Sequence, residues 1–461
     1  MVTLKKIFDK FNNQKLFIIS KKEFITYKEF YDRSLSFALY LKEEHKSISG
    51  KSIFLKIDRS LDYFVALFGL CFLGAVIFPI SPKIENNELE DLRKRYSPFL
   101  EIDNIKFKKN LQGKNKVEDN LINKTKIIFF TSGTTGQPKG IIHNVVNLLK
   151  SASQFSILAK YGKGKKILHN WPHYYMAGFF NMFLCPLVSG STIYFDEEIN
   201  INSYLKYWNE IKKKGIDIAY LSPTMAQSLI SYSNYQRFNK KNLGPINIIS
   251  TGSYLYSSTA KKFKELFGLD LVNCYGVTEI GGSISLEQKP FTRNKPLGKI
   301  HKGVKIKISN NKEILVKSDY MFEGYLENKI NLKKFSSEYF NTGDLGEKKN
   351  GKIYIKGRNK EIIKKGGEQV SLLKVEDIAL GYNETKEVIA RGVSSEFWGE
   401  EIELDVIFNN NSSPSKIVHQ KENLKKYLLQ KLPKLYIPKK INSVKFIPKT
   451  SIGKNYRKIF N

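Results

Sequence analysis

Arginine is scarce in this otherwise basic chain of 461 residues. Nine of its 76 basic side chains are Arg and 67 are Lys, set against 44 acidic ones for a formal net charge of +32. Arg is the side chain that forks onto phosphates and reads base edges, so its shortage argues against a nucleic-acid partner. The lysines are spread along the chain instead of forming one block, as in a composition from an AT-biased genome with its charge on solvated faces. Cysteine is rarer still. Cys71, Cys185 and Cys274 lie far apart among apolar or small neighbours, which excludes a disulfide framework and reads as buried, reduced thiols of a cytoplasmic protein. No CxxC pair or Cys/His cluster supports a structural metal. The first residues, Met1 to Gln14, alternate apolar and charged side chains, and no signal peptide is expected from them. There is no internal repeat.

A membrane span is also wanting. Tyr63–Ile80 is 18 residues without a charge, the minimum for a transmembrane helix. Yet Gly69 and Gly74 interrupt it, it turns β-branched before Pro79, and Asp62 and Lys83 bound it closely. A buried helix followed by a short buried strand fits that pattern better.

What is present is enough apolar sequence, 41% of residues, for two or three domains. Strand-like runs at Lys51–Ile57, Ala75–Ile80, Lys126–Phe130, Ser191–Phe195, Ile216–Leu221 and Ile246–Ser250 alternate with helical ones such as Thr26–Glu44, Glu88–Tyr96, Asn144–Leu158 and Ser257–Leu266. That alternation predicts an α/β fold with largely parallel sheets. The polar stretch Lys106–Lys124 reads as a connector. From about Leu297 the pattern changes to short strands with Gly and Asn turns (Val304–Ile308, Glu313–Lys317, Lys352–Ile355), predicting a small, mainly antiparallel β unit, and beyond Gly357-Arg358 follows an α+β tail.

Five segments carry chemistry. Thr131-Ser132-Gly133-Thr134-Thr135-Gly136-Gln137-Pro138-Lys139-Gly140 follows an apolar strand and precedes a helical run. Its glycines permit close backbone approach, its hydroxyls and N–H groups donate hydrogen bonds, and its lysine adds charge, a set suited to wrapping polyphosphate. It does not match the P-loop pattern. Tyr275-Gly276-Val277-Thr278-Glu279 sets a carboxylate beside a hydroxyl at a strand end, where the pair could hold Mg²⁺ against phosphates. Asn341-Thr342-Gly343-Asp344 places a carboxylate on a tight turn, and Gly357-Arg358-Asn359-Lys360 leads into Gly366-Gly367. Near the end stands Pro448-Lys449-Thr450-Ser451-Ile452-Gly453-Lys454-Asn455-Tyr456-Arg457.

In this order, over nearly the whole chain, the five segments resemble those of the adenylate-forming superfamily of acyl-CoA synthetases, non-ribosomal adenylation domains and luciferases. The resemblance implies a large N-terminal domain over 1–357, built of two doubly wound α/β subdomains (1–124 and 125–296) and a small β-barrel-like subdomain (297–357). A small, mobile α+β C-terminal domain over 358–461 would pivot near Lys360. It implies that Thr131, Ser132, Gly133, Thr134, Thr135, Gly136 and Lys139 hold the ATP phosphates, with Thr134 and Glu279 at Mg²⁺. Thr278 would contact the AMP phosphate, Asn273 and Tyr275 would lie near adenine, and the turn Ser250-Thr251-Gly252-Ser253-Tyr254 would cover its other face. Asp344 would take the ribose hydroxyls, with Arg358 supporting. Lys454 would reach the attacking carboxylate and the α-phosphate, where a cation offsets the crowding of anions.

The activity so implied is conversion of a carboxylic acid to an acyl-AMP with release of pyrophosphate. Acyl transfer to a thiol would follow, on coenzyme A or the phosphopantetheine of a carrier protein, whose arm would pass Gly366 and Gly367. Two rival readings are a nucleotide-binding scaffold without chemistry and a basic protein binding polyanions. Substrate identity is less plainly written. Trp171-Pro172-His173-Tyr174-Tyr175-Met176-Ala177-Gly178-Phe179 resembles a family segment that often has His where Tyr175 stands; Tyr175 departs from that pattern at the position which the resemblance implies for the substrate gate and the thiol step. The aromatic and apolar lining favours a fatty or aryl acid. No Asp between His169 and Asn181 offers itself to an ammonium, which disfavours an amino acid. His173 is read either as a pocket residue or as a structural one.

Overall fold

The computed structural model describes residues 7–11, 14–105, 121–131, 139–198, 201–233, 243–287, 296–327, 332–409 and 413–449. Two large sheets dominate. One has seven strands in the order Leu332–Lys334, Gly324–Leu326, Lys139–Asn144, Lys126–Thr131, Val76–Pro79, Ser52–Leu55, Leu100–Ile102. The other has nine: Lys299–Ile300, Gly282–Leu286, Leu271–Val277, Asn247–Ser250, Ile218–Leu221, Lys166–His169, Thr192–Phe195, Leu16–Ser20 and Phe24–Thr26. The central strands of both run parallel, and antiparallel strands are confined to their flanks. Strands do not divide between the sheets in chain order, since Leu16–Ser20 joins the second and Gly324–Leu326 returns to the first.

Local chemistry explains the elements. Thr26 caps the helix Tyr27–Glu44 by accepting from the Glu29 N–H, while the Glu29 carboxylate accepts the Thr26 N–H at 2.8 Å, a reciprocal capping box. The uncharged stretch becomes the helix Leu61–Phe72, buried along nearly its whole length, then a turn at Gly74 (φ +70°) and the strand Val76–Pro79. An all-round apolar helix of 12 residues is the mark of a core element. It lies in one continuous hydrophobic core with residues of both sheets. No helix among the described residues is long and apolar enough to cross a membrane. All three cysteines are buried and free.

Four antiparallel strands follow, Val304–Ile308, Glu313–Ser318, Phe340–Lys349 and Lys352–Arg358. The last unit has its own core. Strands Ile362–Lys365, Glu368–Ser371, Thr385–Ser395, Gly399–Phe408 and Lys440–Ser443 pack with helices Leu372–Leu380 and Pro414–Lys431 around Val370, Val375, Ile402, Leu404 and Leu424. It meets the body along helix Ser257–Phe267. The Ser258 N–H and hydroxyl donate to Asp377 at 3.0 and 2.9 Å, Lys262 donates to the Leu380 carbonyl at 2.7 Å, and the Tyr256 hydroxyl donates to Glu376.

Candidate active site

Ligands of open parallel sheets sit beyond the carboxyl ends of the strands. At the ends of Asn247–Ser250 and Leu271–Val277 a cavity opens whose lining includes Gly252, Tyr254, Asn273, Tyr275, Asp344 and Arg358. Five of those six residues come from the nucleotide set expected from sequence, drawn from four separate segments, and the sixth, Tyr254, belongs to the turn expected to cover the adenine. Asp344 is the fixed point. Its buried carboxylate accepts the Tyr275 hydroxyl at 2.5 Å and Arg358 Nε at 2.7 Å. The strand pairing sets Asp344 directly opposite Arg358. Burial, and then the Asp344 carboxylate, push Tyr275 well above the usual phenol range, so it stays a neutral donor.

The turn carrying Asp344 is itself tied down. Gly343 (φ +73°) lets the chain reverse, its N–H donates to Glu313 at 2.8 Å, and Asn341 donates to the same carboxylate at 2.9 Å. The Thr342 hydroxyl accepts the Asp344 N–H at 3.1 Å. Leu373, from the C-terminal unit, completes the cavity wall.

Glu279 sits in the helical turn Thr278–Ile280 that ends the strand Leu271–Val277. Burial raises its carboxyl above the ordinary range; the Tyr325 hydroxyl, donating at 3.2 Å, and the charges of Arg358 and Lys139 pull the other way. Lys139 Nζ lies 5.5 Å from the centre of the Tyr325 ring. Lys360, on the turn Asn359–Glu361, is lowered by partial desolvation and then by the neighbouring charges of Arg358 and Lys139. Three cations from two segments, Lys139 and the near neighbours Arg358 and Lys360, thus feel one another, and Lys139 and Arg358 also act on the Glu279 carboxylate. Such a concentration of like charge suits an anion with several charges. The strand Lys139–Asn144 organises this corner. Its Ile141 pairs with Tyr325, and buried His143, pushed down to about 4 by burial, bonds the Thr278 carbonyl through Nε2 at 2.8 Å.

On the other side of Gly252 (φ +93°) lies Trp171, whose ring carbon would be 3.4 Å from a Cβ placed there. Half-buried Arg59 holds this segment: it donates to the carbonyls of Asp196 (2.6 Å), Trp171 (2.7 Å) and His169 (2.5 Å), its guanidinium 4.0 Å over the Phe195 ring. Burial lowers Arg59 to about 10, and Glu198 and Asp196 oppose that. His173 is wholly buried, its Nε2 bonded to the Ile57 carbonyl at 3.2 Å and its ring edge-on to Tyr63 at 4.3 Å, while its Nδ1 has no hydrogen-bond partner among the described residues, so it meets the satisfied structural reading at one nitrogen only. Tyr175 is half-buried at the start of the helix Met176–Phe179, its ring 4.9 Å from Tyr174.

Gly366 and Gly367 are not among the residues lining the cavity. They turn the hairpin between Ile362–Lys365 and Glu368–Ser371, with φ of +58° and +82° that only glycine adopts readily. Ser132, Gly133, Thr134, Thr135, Gly136 and Lys454 lie outside the described residues, and of Thr131 only the backbone, paired with Lys139, is described. Sequence reasoning missed Tyr325, His143, Glu313 and Arg59. None stands in a pattern that marks it, because each acts on a segment distant in the chain.

A sequence profile described as "AMP-binding enzyme" matches residues 7–96 and 94–326. The oxalate–CoA ligase of Arabidopsis thaliana is 25% identical over 348 residues, covering 72% of this chain and 66% of that one. The 2-succinylbenzoate–CoA ligase of Staphylococcus epidermidis is 26% identical over 472 residues, covering 97% and 94%. Among solved structures, ATP-bound MatB from Rhodopseudomonas palustris superposes with a TM-score of 0.82 at 19% identity, covering 98% of this chain and 96% of that one.

Proposed function

This chain belongs to the AMP-binding enzyme family, and we propose that within it the protein is an AMP-forming acid–thiol ligase. A carboxylic acid is activated as acyl-AMP with loss of pyrophosphate, and the acyl group then passes to coenzyme A. The observation that carries the reading is Asp344, buried and bonded by Tyr275 and Arg358 in one cavity with Gly252 and Asn273. A carboxylate so held accepts the two ribose hydroxyls of a nucleotide, and flat adenine fits between the Gly252–Tyr254 turn and the strand end at Asn273–Tyr275. The relatives named as CoA ligases support the same class.

Placement of the nucleotide with its ribose at Asp344 runs its phosphates toward Thr278, Glu279 and Lys139. There the cations Lys139, Arg358 and Lys360 offset the phosphate charge. The donor set fits Mg²⁺, which is commonly held by one or two carboxylates together with substrate phosphates, and Glu279 is the carboxylate for it. A bound Mg²⁺ supplies charge neutralisation on the phosphates. The loop from Ser132 to Pro138 receives the departing pyrophosphate and Lys454 the incoming carboxylate, so that an oxygen of the acid attacks the α-phosphorus. In the second half-reaction the thiol attacks the acyl carbon and AMP leaves. The C-terminal unit turns about Lys360 between the steps, a hinge of the usual domain-closure kind.

The test is carboxylate-dependent ATP–pyrophosphate exchange over a panel of acids, with product analysis after adding coenzyme A or a phosphopantetheinylated carrier. Lys454→Ala is expected to cut exchange on the order of a hundredfold or more while leaving thiolysis of preformed acyl-AMP in place. ATP binding with no exchange for any acid would overturn the reading in favour of a scaffold.

A further inference from the structure

The helix Leu372–Leu380 brings the C-terminal unit to the nucleotide cavity in two ways. Leu373 lies in the cavity wall itself. One turn further along, Glu376 and Asp377 meet the body at Tyr256 and Ser258, just past the turn that carries Gly252 and Tyr254. Residues three and four apart share one face of a helix, so a single face makes both approaches.

Both carboxylates are buried, and their bonds aim them. Glu376 accepts the Ala390 N–H of its own unit at 2.6 Å through one oxygen and the Tyr256 hydroxyl through the other. Helix Ser257–Phe267 starts after Tyr256, which makes no side-chain cap bond. Asp377 fills that role from the other unit, accepting the N–H and hydroxyl of Ser258 in the first turn. Tyr256 passes the constraint on. Its ring stands edge-on to Tyr254 at 5.3 Å, and Tyr254 lines the cavity. Between buried Thr251 and Leu255 the turn is exposed at Gly252 and Ser253, so a ring packed against Tyr254 bears on where that turn rests.

We propose that Tyr256 is a positioning residue for the adenine: bonded to Glu376, it holds Tyr254 toward the nucleotide, so that docking of the C-terminal unit and nucleotide binding strengthen each other. The inference rests on the nucleotide placement in the ligase reading. Tyr256 touches no reacting atom and acts through Tyr254. Such coupling is reciprocal: whatever docking adds to nucleotide affinity, the nucleotide adds to docking.

Tyr256→Phe keeps the ring and removes the bond to Glu376. Its Kd for AMP, read by calorimetry, and its KM for ATP in exchange are expected to rise on the order of fivefold to tenfold. The KM for the acid and kcat at saturating ATP are expected to hold within about twofold, because excess nucleotide restores docking. Glu376→Gln is expected to stay close to wild type. Its amide oxygen still accepts the Ala390 N–H, and its nitrogen donates to a phenol that also accepts. Limited proteolysis near the hinge reads the reverse direction: AMP is expected to protect wild-type protein, and to protect Tyr256→Phe only at proportionally higher concentration. An unchanged AMP Kd in folded Tyr256→Phe would overturn the proposal, as would a fall in kcat with the KM for ATP unmoved. Hinge cleavage indifferent to AMP in wild-type protein would do the same. Should wild-type protein bind AMP yet show no exchange with any acid, the ligase reading falls, and the AMP Kd of the two proteins still decides on Tyr256.

Discussion

The body and the C-terminal unit are held together by different chemistry. The body's core is rich in fully buried rings, among them Phe17, Phe30, Phe64, Phe68, Phe155, Phe179 and Tyr220, and it runs without a break between the two large sheets. The C-terminal unit has a smaller, aliphatic core of its own. Between them run polar bonds, Ser258 to Asp377, Lys262 to the Leu380 carbonyl and Tyr256 to Glu376, and the one ring that crosses with them, Tyr256, packs at the edge of the C-terminal core. Polar contacts of this kind can be exchanged for water at little net cost, whereas separating two apolar faces costs about 25 cal/mol for each Å² exposed. A joint so made would suit the hinge motion proposed for the C-terminal unit, whereas a continuous aromatic core resists deformation.

Three experiments break or sharpen that contrast. The largest effect is expected inside the C-terminal unit, where Lys365 and Glu401 form an ion pair with both side chains only 7% exposed. Glu401→Ala strands a buried ammonium and is expected to destabilise that unit by about 3–5 kcal/mol in denaturant unfolding while the body's transition stays in place. If both transitions shift together, the two cores are not independent.

The body's weak point is acid. His143 and His173 are lowered to about 4 and about 3, and His169 well below its ordinary 6.5, all chiefly by burial. Because the folded state keeps these rings neutral, the unfolded chain binds more protons once the pH drops below 6.5. Stability is therefore full above that value and is lost as pH falls toward 4, by up to about 4 kcal/mol per pH unit if all three rings take part. Urea midpoints of wild type and His143→Gln between pH 7 and 5 measure this. A midpoint independent of pH in that window contradicts it.

The smallest effect belongs to the joint. Ser258→Ala removes a hydroxyl from Asp377 but leaves the main-chain N–H bond, so about 1 kcal/mol or less is at stake. Global stability is expected to hold, with faster proteolysis near the hinge as the readout. A drop in stability as large as that of Glu401→Ala would mean the joint is structural.

Much of this arrangement could be read from the chain. Periodicity placed strands such as Val304–Ile308 and helices such as Tyr27–Glu44 within a residue or two, because their apolar spacing and caps are local properties. Gly252, Asn273, Tyr275, Asp344 and Arg358 could be singled out because short motifs carry them, and they do share a cavity. Periodicity could not tell which sheet receives which strand: Leu16–Ser20 and Lys51–Ile57 carry the same kind of apolar run and end in different sheets. Nor could it find Tyr325 or Arg59, whose partners lie 46 to 137 residues away in the chain. Their importance comes from tertiary contact, and no neighbour in sequence announces it.

The strand Lys139–Asn144 has a last consequence. Its ladder with Gly324–Leu326 fixes, in one register, the lysine at its start, the tyrosine that meets Glu279, and the histidine that meets Thr278. A slip of one step along that ladder would turn Tyr325 to the opposite face and part it from the carboxylate. A single residue gained or lost within either strand would dismantle the charge geometry in one stroke.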